Sequence, residues 1–137
     1  MSEFLILLVD LPSDLCIITV EICKVFHFKP DRFIEMNEEA IKYIKENYSR
    51  QITAEKLAEV VNLSPVYFSH LFKKQIGMNM TDYITDYRMK IAKKKLLETD
   101  DTIYEIALSV GFQEQRYFSK RFKQIVGMTP TEFRKLK

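Results

Sequence analysis

The sequence predicts a mainly α-helical chain: two copies of a short-helix pair joined by one long helix, preceded by a short apolar segment. Three observations carry this. The 137 residues include only three Gly and four Pro, and the later part is rich in Lys, Glu, Leu and Ile, a composition that favours helix. The stretch SPVYFSHLFKKQIG (Ser64–Gly77) recurs fifty residues later as QEQRYFSKRFKQIVG, so that Tyr67 matches Tyr117, Phe68 Phe118, Ser69 Ser119, Phe72 Phe122, Lys73 Lys123 and Gly77 Gly127. Between the copies, Thr81–Glu98 contains neither Gly nor Pro.

In each copy the aromatic residues fall four or five apart, the interval that places side chains on one helix face. This marks Tyr67, Phe68, Phe72, Phe118 and Phe122 as core. Ser69, His70 and Lys73, like Ser119, Lys120 and Lys123, turn away from that face and meet something else.

Charge is unevenly spread: the net +2 divides into −3 over residues 1–35, −1 over 36–63 and +6 over 64–137. A basic excess in the repeated region suits phosphate backbones or anionic surfaces, although so modest an excess decides little alone. Cys16 and Cys23 lack CxxC spacing, and His27 does not complete a four-ligand zinc set, so buried thiols in a reducing compartment are expected, with no metal and no cofactor. The apolar run Phe4–Val9 is too short to span a bilayer and no basic segment precedes it. A cytoplasmic protein without a membrane partner follows.

Taken in order, residues 1–35 hold two apolar stretches, FLILLVDL and CIITVEICKVFHF, separated by Pro12-Ser13-Asp14 and closed by Lys29-Pro30-Asp31. Short strands or a hairpin fit the β-branched content; an amphipathic helix could carry the same residues. Such a segment packs on the helical part, pairs with a partner, including a second copy, or is the remnant of a larger domain. From Asn37, read as an N-cap with Glu38 and Glu39 in the first turn, the pattern turns helical through Ile41, Ile44 and Tyr48. Thr53 caps a shorter helix through Leu57, Ala58, Val60 and Val61.

The next turn also recurs: Thr53 matches Thr102, Leu57 Ile106, Ala58 Ala107, Val61 Val110, Asn62 Gly111 and Leu63 Phe112. Small Ala58 and Ala107 let another helix approach, Asn62 and Gly111 tolerate a left-handed backbone, and Leu63 and Phe112 plug the corner. Ser64-Pro65 then reads as N-cap and first helical residue. One helix stops and another starts within a few residues, which is a helix-turn-helix.

The joining helix presents Ile84, Tyr87, Ile91, Ala92, Leu96 and Leu97 as an apolar stripe, with Lys93-Lys94-Lys95 on its wet face. The second unit opens on a capping box at Thr102–Glu105, and the chain closes on another at Thr129–Glu132. A last short helix, Glu132–Leu136, packs through Phe133. The resulting organisation is an N-terminal segment, 1–35, and a double helix-turn-helix domain, 36–137, with a first unit at 53–77, a linker helix at 81–98 and a second unit at 102–127.

YFSHLFKKQIG, the Arg88-x3-Ala92-x3-Leu96-Leu97 pattern, IALSVGF, YFSKRFK and GMTPTEFRK, in this order, closely resemble the DNA-binding domain of AraC/XylS-type transcription regulators over about Asn37–Lys135. The resemblance implies recognition helices at Pro65–Gln75 and Glu114–Ile125. It places Val66, Ser69, His70, Gln115, Arg116, Ser119 and Lys120 at bases, and the chemistry fits: Arg and Lys address guanine, Gln adenine, and Val a thymine methyl. Lys73, Lys74, Arg121 and Lys123, one turn further along, suit phosphates, which fix register without reading sequence. One protomer would put two helices into successive major grooves of double-stranded DNA. The linker, roughly 27 Å at 1.5 Å per residue, falls short of the approximately 34 Å groove separation, so the helices tilt or the DNA bends at a cost on the order of 1–6 kcal/mol.

Many members of that family carry a larger sensing or oligomerising domain ahead of this part, for which residues 1–35 are too few. The main rival is a helical interaction module that binds an acidic partner or RNA polymerase; polymerase contact is also compatible with DNA binding. A methyl-acceptor enzyme related to the family would need an activated cysteine, and neither Cys16 nor Cys23 has a visible activating set. Paired carboxylates, Ser-His-Asp sets and phosphate loops are not evident, so no catalysis is expected.

Overall fold

The structure, a computed structural model, describes residues 31–137, and within them seven helices: α1 (Asp31–Asn47), α2 (Ala54–Val60), α3 (Pro65–Ile76), α4 (Met80–Glu98), α5 (Ile103–Ser109), α6 (Gln115–Val126) and α7 (Pro130–Arg134). No strand occurs among the described residues. The apolar stretches ahead of Asp31, with Cys16, Cys23 and His27, lie outside them. Two compact units emerge, one made of Ile52–Met80 with α1 up to Ile44, the other of Lys45–Gln51 with Thr81–Lys137.

In the first unit, α2 starts where Thr53 Oγ1 accepts the Lys56 N–H at 3.1 Å. It stops in a double reverse bond: Leu63 N–H donates to Ala58 O at 2.9 Å and Asn62 N–H to Glu59 O at 3.2 Å. That pattern needs a left-handed residue between them, and Asn62 supplies it at φ 56°. Ser64 Oγ then accepts the Tyr67 N–H at 3.3 Å, with Pro65 in the first helical position. Locally, therefore, four consecutive residues stop one helix and start the next. α2 packs on α3, with Leu57, Ala58, Val61, Phe68 and Phe72 all buried. Burying the larger of these, Leu57, Val61, Phe68 and Phe72, contributes roughly 1.5–3 kcal/mol each.

Asn37 is not an N-cap. Helix α1 has already begun at Asp31, since no Gly or Pro interrupts residues 31–37, so Glu38 and Glu39 stand well past its first turn. Asn37 is buried and its side-chain amide donates to Gln75 Oε1.

The second unit repeats the design, with a stronger cap on its first helix. At Thr102 a full capping box forms, Glu105 N–H donating to Thr102 Oγ1 at 3.1 Å and Thr102 N–H to Glu105 Oε2 at 2.8 Å. The turn carries the same paired bonds, Phe112 N–H to Ala107 O at 3.0 Å and Gly111 N–H to Leu108 O at 3.1 Å. A second box at Thr129 and Glu132 starts the last helix. That helix runs Pro130–Arg134 rather than Glu132–Leu136, because the proline directly after the cap is its first residue.

The core of this unit joins Met89, Ala92 and Leu96 of α4 to Ile106, Ala107, Val110, Phe112, Phe118 and Phe122. Edge-on and tilted rings run through it, from Phe112 to Phe118 at 5.3 Å, Phe118 to Phe122 at 5.8 Å and Phe122 to Phe133 at 5.6 Å. The expected α4 stripe is thus shifted: Met89 joins it, at three and seven residues from Ala92 and Leu96, while Tyr87, Ile91 and Leu97 flank it half-buried. Nor is Lys95 on a wet face. Its Nζ donates to Ser109 Oγ at 2.8 Å, and that hydroxyl donates on to Ile106 O at 2.8 Å, which places a cation at the carbonyl end of α5, where the helix dipole favours one.

Candidate nucleic-acid interface

Helix α3 spends Tyr67, Phe68, Leu71 and Phe72 on the core. What remains outward is then decided by geometry: Val66, His70 and Lys73 follow one another at intervals of four and three, with Ser69 beside His70 and Lys74 one turn beyond it. All five are exposed; Val66 shows 59% of its surface. Val66 thus stands exposed at the start of a helix that buries Tyr67, Phe68, Leu71 and Phe72.

Helix α6 spends Phe118 and Phe122 on the core. Arg116 and Lys120, one turn apart, form its exposed centre, and Gln115 and Lys123 are exposed on the flank. Two of the expected residues are less open. Ser119 is half-buried at the margin of the packed face, and Arg121 is half-buried with its Nη1 donating to Gln124 Oε1 at 3.2 Å. Neither α3 nor α6 contains a carboxylate, and α6 carries Arg116, Lys120, Arg121 and Lys123. Both outward faces are electropositive or neutral along their whole length.

The repeat pairing fails at one position that sequence reasoning passed over. Tyr67 is 6% exposed, whereas its counterpart Tyr117 is 55% exposed. The corner residues differ as well: the larger Phe112 is buried where the first unit has half-buried Leu63, and the Tyr117 ring stands 6.0 Å from it. The Leu63-to-Phe112 exchange was the available signal. Tyr117 adds an aromatic ring and a hydroxyl beside Arg116 on the exposed side of α6.

Helix α6 also begins differently from α3. Its N-cap is Glu114, whose side chain makes no capping bond, so the first-turn N–H groups face outward without a side-chain acceptor. Such N–H groups suit a phosphate oxygen.

The turn that aims α6 is held from α4. Arg88 donates through Nε to Tyr48 O and through Nη2 to Arg50 O, both at 2.8 Å, and its guanidinium lies 5.7 Å over the Phe112 ring. Burial lowers the Arg88 pKa, yet guanidinium stays charged at any physiological pH, and two carbonyl dipoles and a ring face offset the lost hydration. Gly111, at φ 102°, is pressed against the same group. Among the described residues no cluster of His, Cys, Asp or Glu fit to hold a metal occurs, and no helix is long and apolar enough to cross a membrane.

Comparison with known proteins agrees with this geometry. Residues 57–136 match a family profile described as "Helix-turn-helix domain". The chain is 37% identical over 95 residues to the bifunctional transcriptional activator/DNA repair enzyme AdaA of Bacillus subtilis, a match covering 69% of this chain and 45% of that protein. It is similar to the crystal structure of the C-terminal domain of the two-component response regulator yesN from Fusobacterium nucleatum, with TM-score 0.69, 39% identity, and 72% and 96% of the two chains covered. A transcriptional regulator from Chromobacterium violaceum, described as having an AraC-type DNA-binding domain, matches with TM-score 0.69 and 26% identity over 73% of this chain and 89% of that one. The chain spans less than half the length of the curated relatives it matches. It belongs to the AraC-type helix-turn-helix family of transcription-regulator DNA-binding domains.

Proposed function

We propose that this chain binds duplex DNA sequence-specifically and regulates transcription, with α3 and α6 each reading one of two successive major grooves. The observation that carries this is α6 itself: a helix anchored by buried Phe118 and Phe122, with Arg116 and Lys120 at the centre of a face free of carboxylates. Arg and Lys there are suited to guanine O6 and N7, Gln115 to adenine, and Ser119 to hydrogen bonds at its edge. On α3, Val66 meets a thymine methyl while Ser69 and His70 address polar base edges. Lys73, Lys74, Arg121 and Lys123 neutralise phosphates and hold the register. Supporting this, the Bacillus subtilis relative is named a transcriptional activator.

The domain that does this is the double helix-turn-helix of residues 36–137, working in the cytoplasm without a cofactor. We further propose that a dimer, where one forms, is made through residues 1–35, the last five of which open α1, and that RNA polymerase is the protein partner that activation would require. No reaction is assigned. One relative is also named a DNA repair enzyme; a methyl-acceptor activity in this chain would need Cys16 or Cys23, outside the described residues.

The test is a shift assay on a pool of random duplexes at several salt concentrations. Binding with a logarithmic salt dependence of about 0.9 per neutralised phosphate, and enrichment of a defined subset, is the expected result. Lys73→Glu should weaken all sequences alike. A chain that shifts no duplex even at low salt would be an interaction module instead, and the proposal would fail.

A further inference from the structure

The linker helix does more than join two units: within the second unit, one of its side chains grips three separate pieces of backbone and ring. Arg88 reaches the segment that follows α1 through Tyr48 O and Arg50 O. It also covers Phe112, the corner of the turn that launches α6. Two turns further along the same face of α4, Lys95 holds Ser109 at the other side of that turn. Ala92 lies between them, fully buried, and its small side chain lets α5 and its turn come close.

The fit at the turn is tight. A Cβ on Gly111 would stand 2.9 Å from both Nε and Cζ of Arg88 and 2.7 Å from Tyr48 O. The Arg88 guanidinium and the Tyr48 carbonyl therefore fill the space that a side chain at this position of the turn would need. The guanidinium is half-buried, and its two bonds to carbonyl oxygens are of the charge-assisted kind. The first unit turns at Asn62, a residue that has a Cβ, so no equivalent close approach exists there at that position.

We infer that Arg88 is the positioning residue of the second recognition helix: by joining the Tyr48–Arg50 segment to the Gly111–Phe112 turn, it sets the direction in which α6 presents Arg116 and Lys120. It touches no base itself. The inference rests on the DNA-binding reading for its consequence, but its physical content, a turn immobilised by one side chain, is measurable without DNA.

The experiment compares wild type, Arg88→Gln and Arg88→Lys, with Lys90→Gln, an exposed residue of the same helix, as control. Amide hydrogen exchange without DNA is read first. In Arg88→Gln the Gly111 and Phe112 amides are expected to exchange on the order of tenfold faster or more, with Arg88→Lys between it and wild type, while Asn62 and Leu63 are unchanged. Duplex selection is read second. Arg88→Gln is expected to lose base preference only over the half-site whose preference also responds to Arg116→Ala, and Arg88→Lys to restore part of it. Should Arg88→Gln fail to fold, the intermediate exchange and half-site loss of Arg88→Lys carry the same information. Unchanged exchange at Gly111 and Phe112 in both variants overturns the inference, as does an equal loss over both half-sites. If wild type selects no duplex, the DNA-binding reading fails, and the exchange measurement alone still decides whether Arg88 holds the turn.

Discussion

The carbonyl oxygen of Tyr48 lies 2.7 Å from the point where a Cβ on Gly111 would stand. No real Cβ sits that close to a backbone atom, and the left-handed φ of 102° penalises any side chain besides. Gly127, also left-handed at φ 90°, has nothing within 4 Å of its would-be Cβ. Gly127→Ala is therefore expected to destabilise by about 1–2 kcal/mol, the backbone cost alone. Gly111→Ala should cost clearly more than that, because the backbone or Arg88 must shift as well. Denaturant unfolding of the two variants checks this, and equal losses would show that the turn has slack.

Acid should loosen the helix starts of the second unit first. Glu105 and Glu132 each accept from a threonine backbone N–H, which holds their carboxyls below the ordinary value of 4.5. A depressed folded pKa means stability that is fully present above that ordinary value and is lost as pH falls through the lower folded one. Asp100, held down by its bond to Lys137, adds in the same direction. Thermal scans should therefore show a level Tm above about pH 5 and a fall below about 4.5. The double variant Glu105→Gln, Glu132→Gln should fall less steeply there.

Glu114 occupies a cap position without capping, whereas Ser64 in the first unit does cap. Glu114→Ser should therefore stabilise the chain, by about 1 kcal/mol on the scale of N-cap exchanges, and Ser64→Ala should destabilise it by a similar amount. Glu114→Ser also removes a negative charge next to the outward face of α6, so duplex affinity should rise at low salt. A Tm that drops in Glu114→Ser would mean that its carboxylate interacts favourably with the α6 dipole after all.

Much of this was legible because local chemistry decided it. Thr53, Ser64, Thr102 and Thr129 cap helices as their side chains allow, and Asn62 and Gly111 take the left-handed backbone for which their types are suited. The buried aromatic residues announced themselves by spacing. What was missed depends on long-range packing. Asn37 looks like a cap but is buried against Gln75, thirty-eight residues away, and the residues before it simply continue the helix. Lys95 reads as one of three solvated lysines, and only the nearby end of α5 recruits it. Tyr117 copies Tyr67 in sequence but stands exposed beside Phe112, which takes the place of Leu63. On α4, Ile84, Ala92 and Leu96 are buried as their spacing indicates, but Met89 joins the same core, which spacing alone did not reveal. Of the candidate interface, the outward stripe of α3 followed from its buried one. On α6, the half-burial of Ser119 and Arg121 depends on neighbours that the repeat does not copy.

The most direct measurement of the central claim is duplex selection by Arg116→Ala beside wild type. Arg116 stands exposed on α6, at the centre of the face assigned to bases. The variant should lose discrimination at one or two adjacent base pairs, by about 1–3 kcal/mol at the preferred base, while preferences elsewhere and the salt dependence stay nearly as before. An unaltered base preference, with only a uniform drop in affinity, would mean that Arg116 contacts phosphate and that α6 does not read sequence through this face.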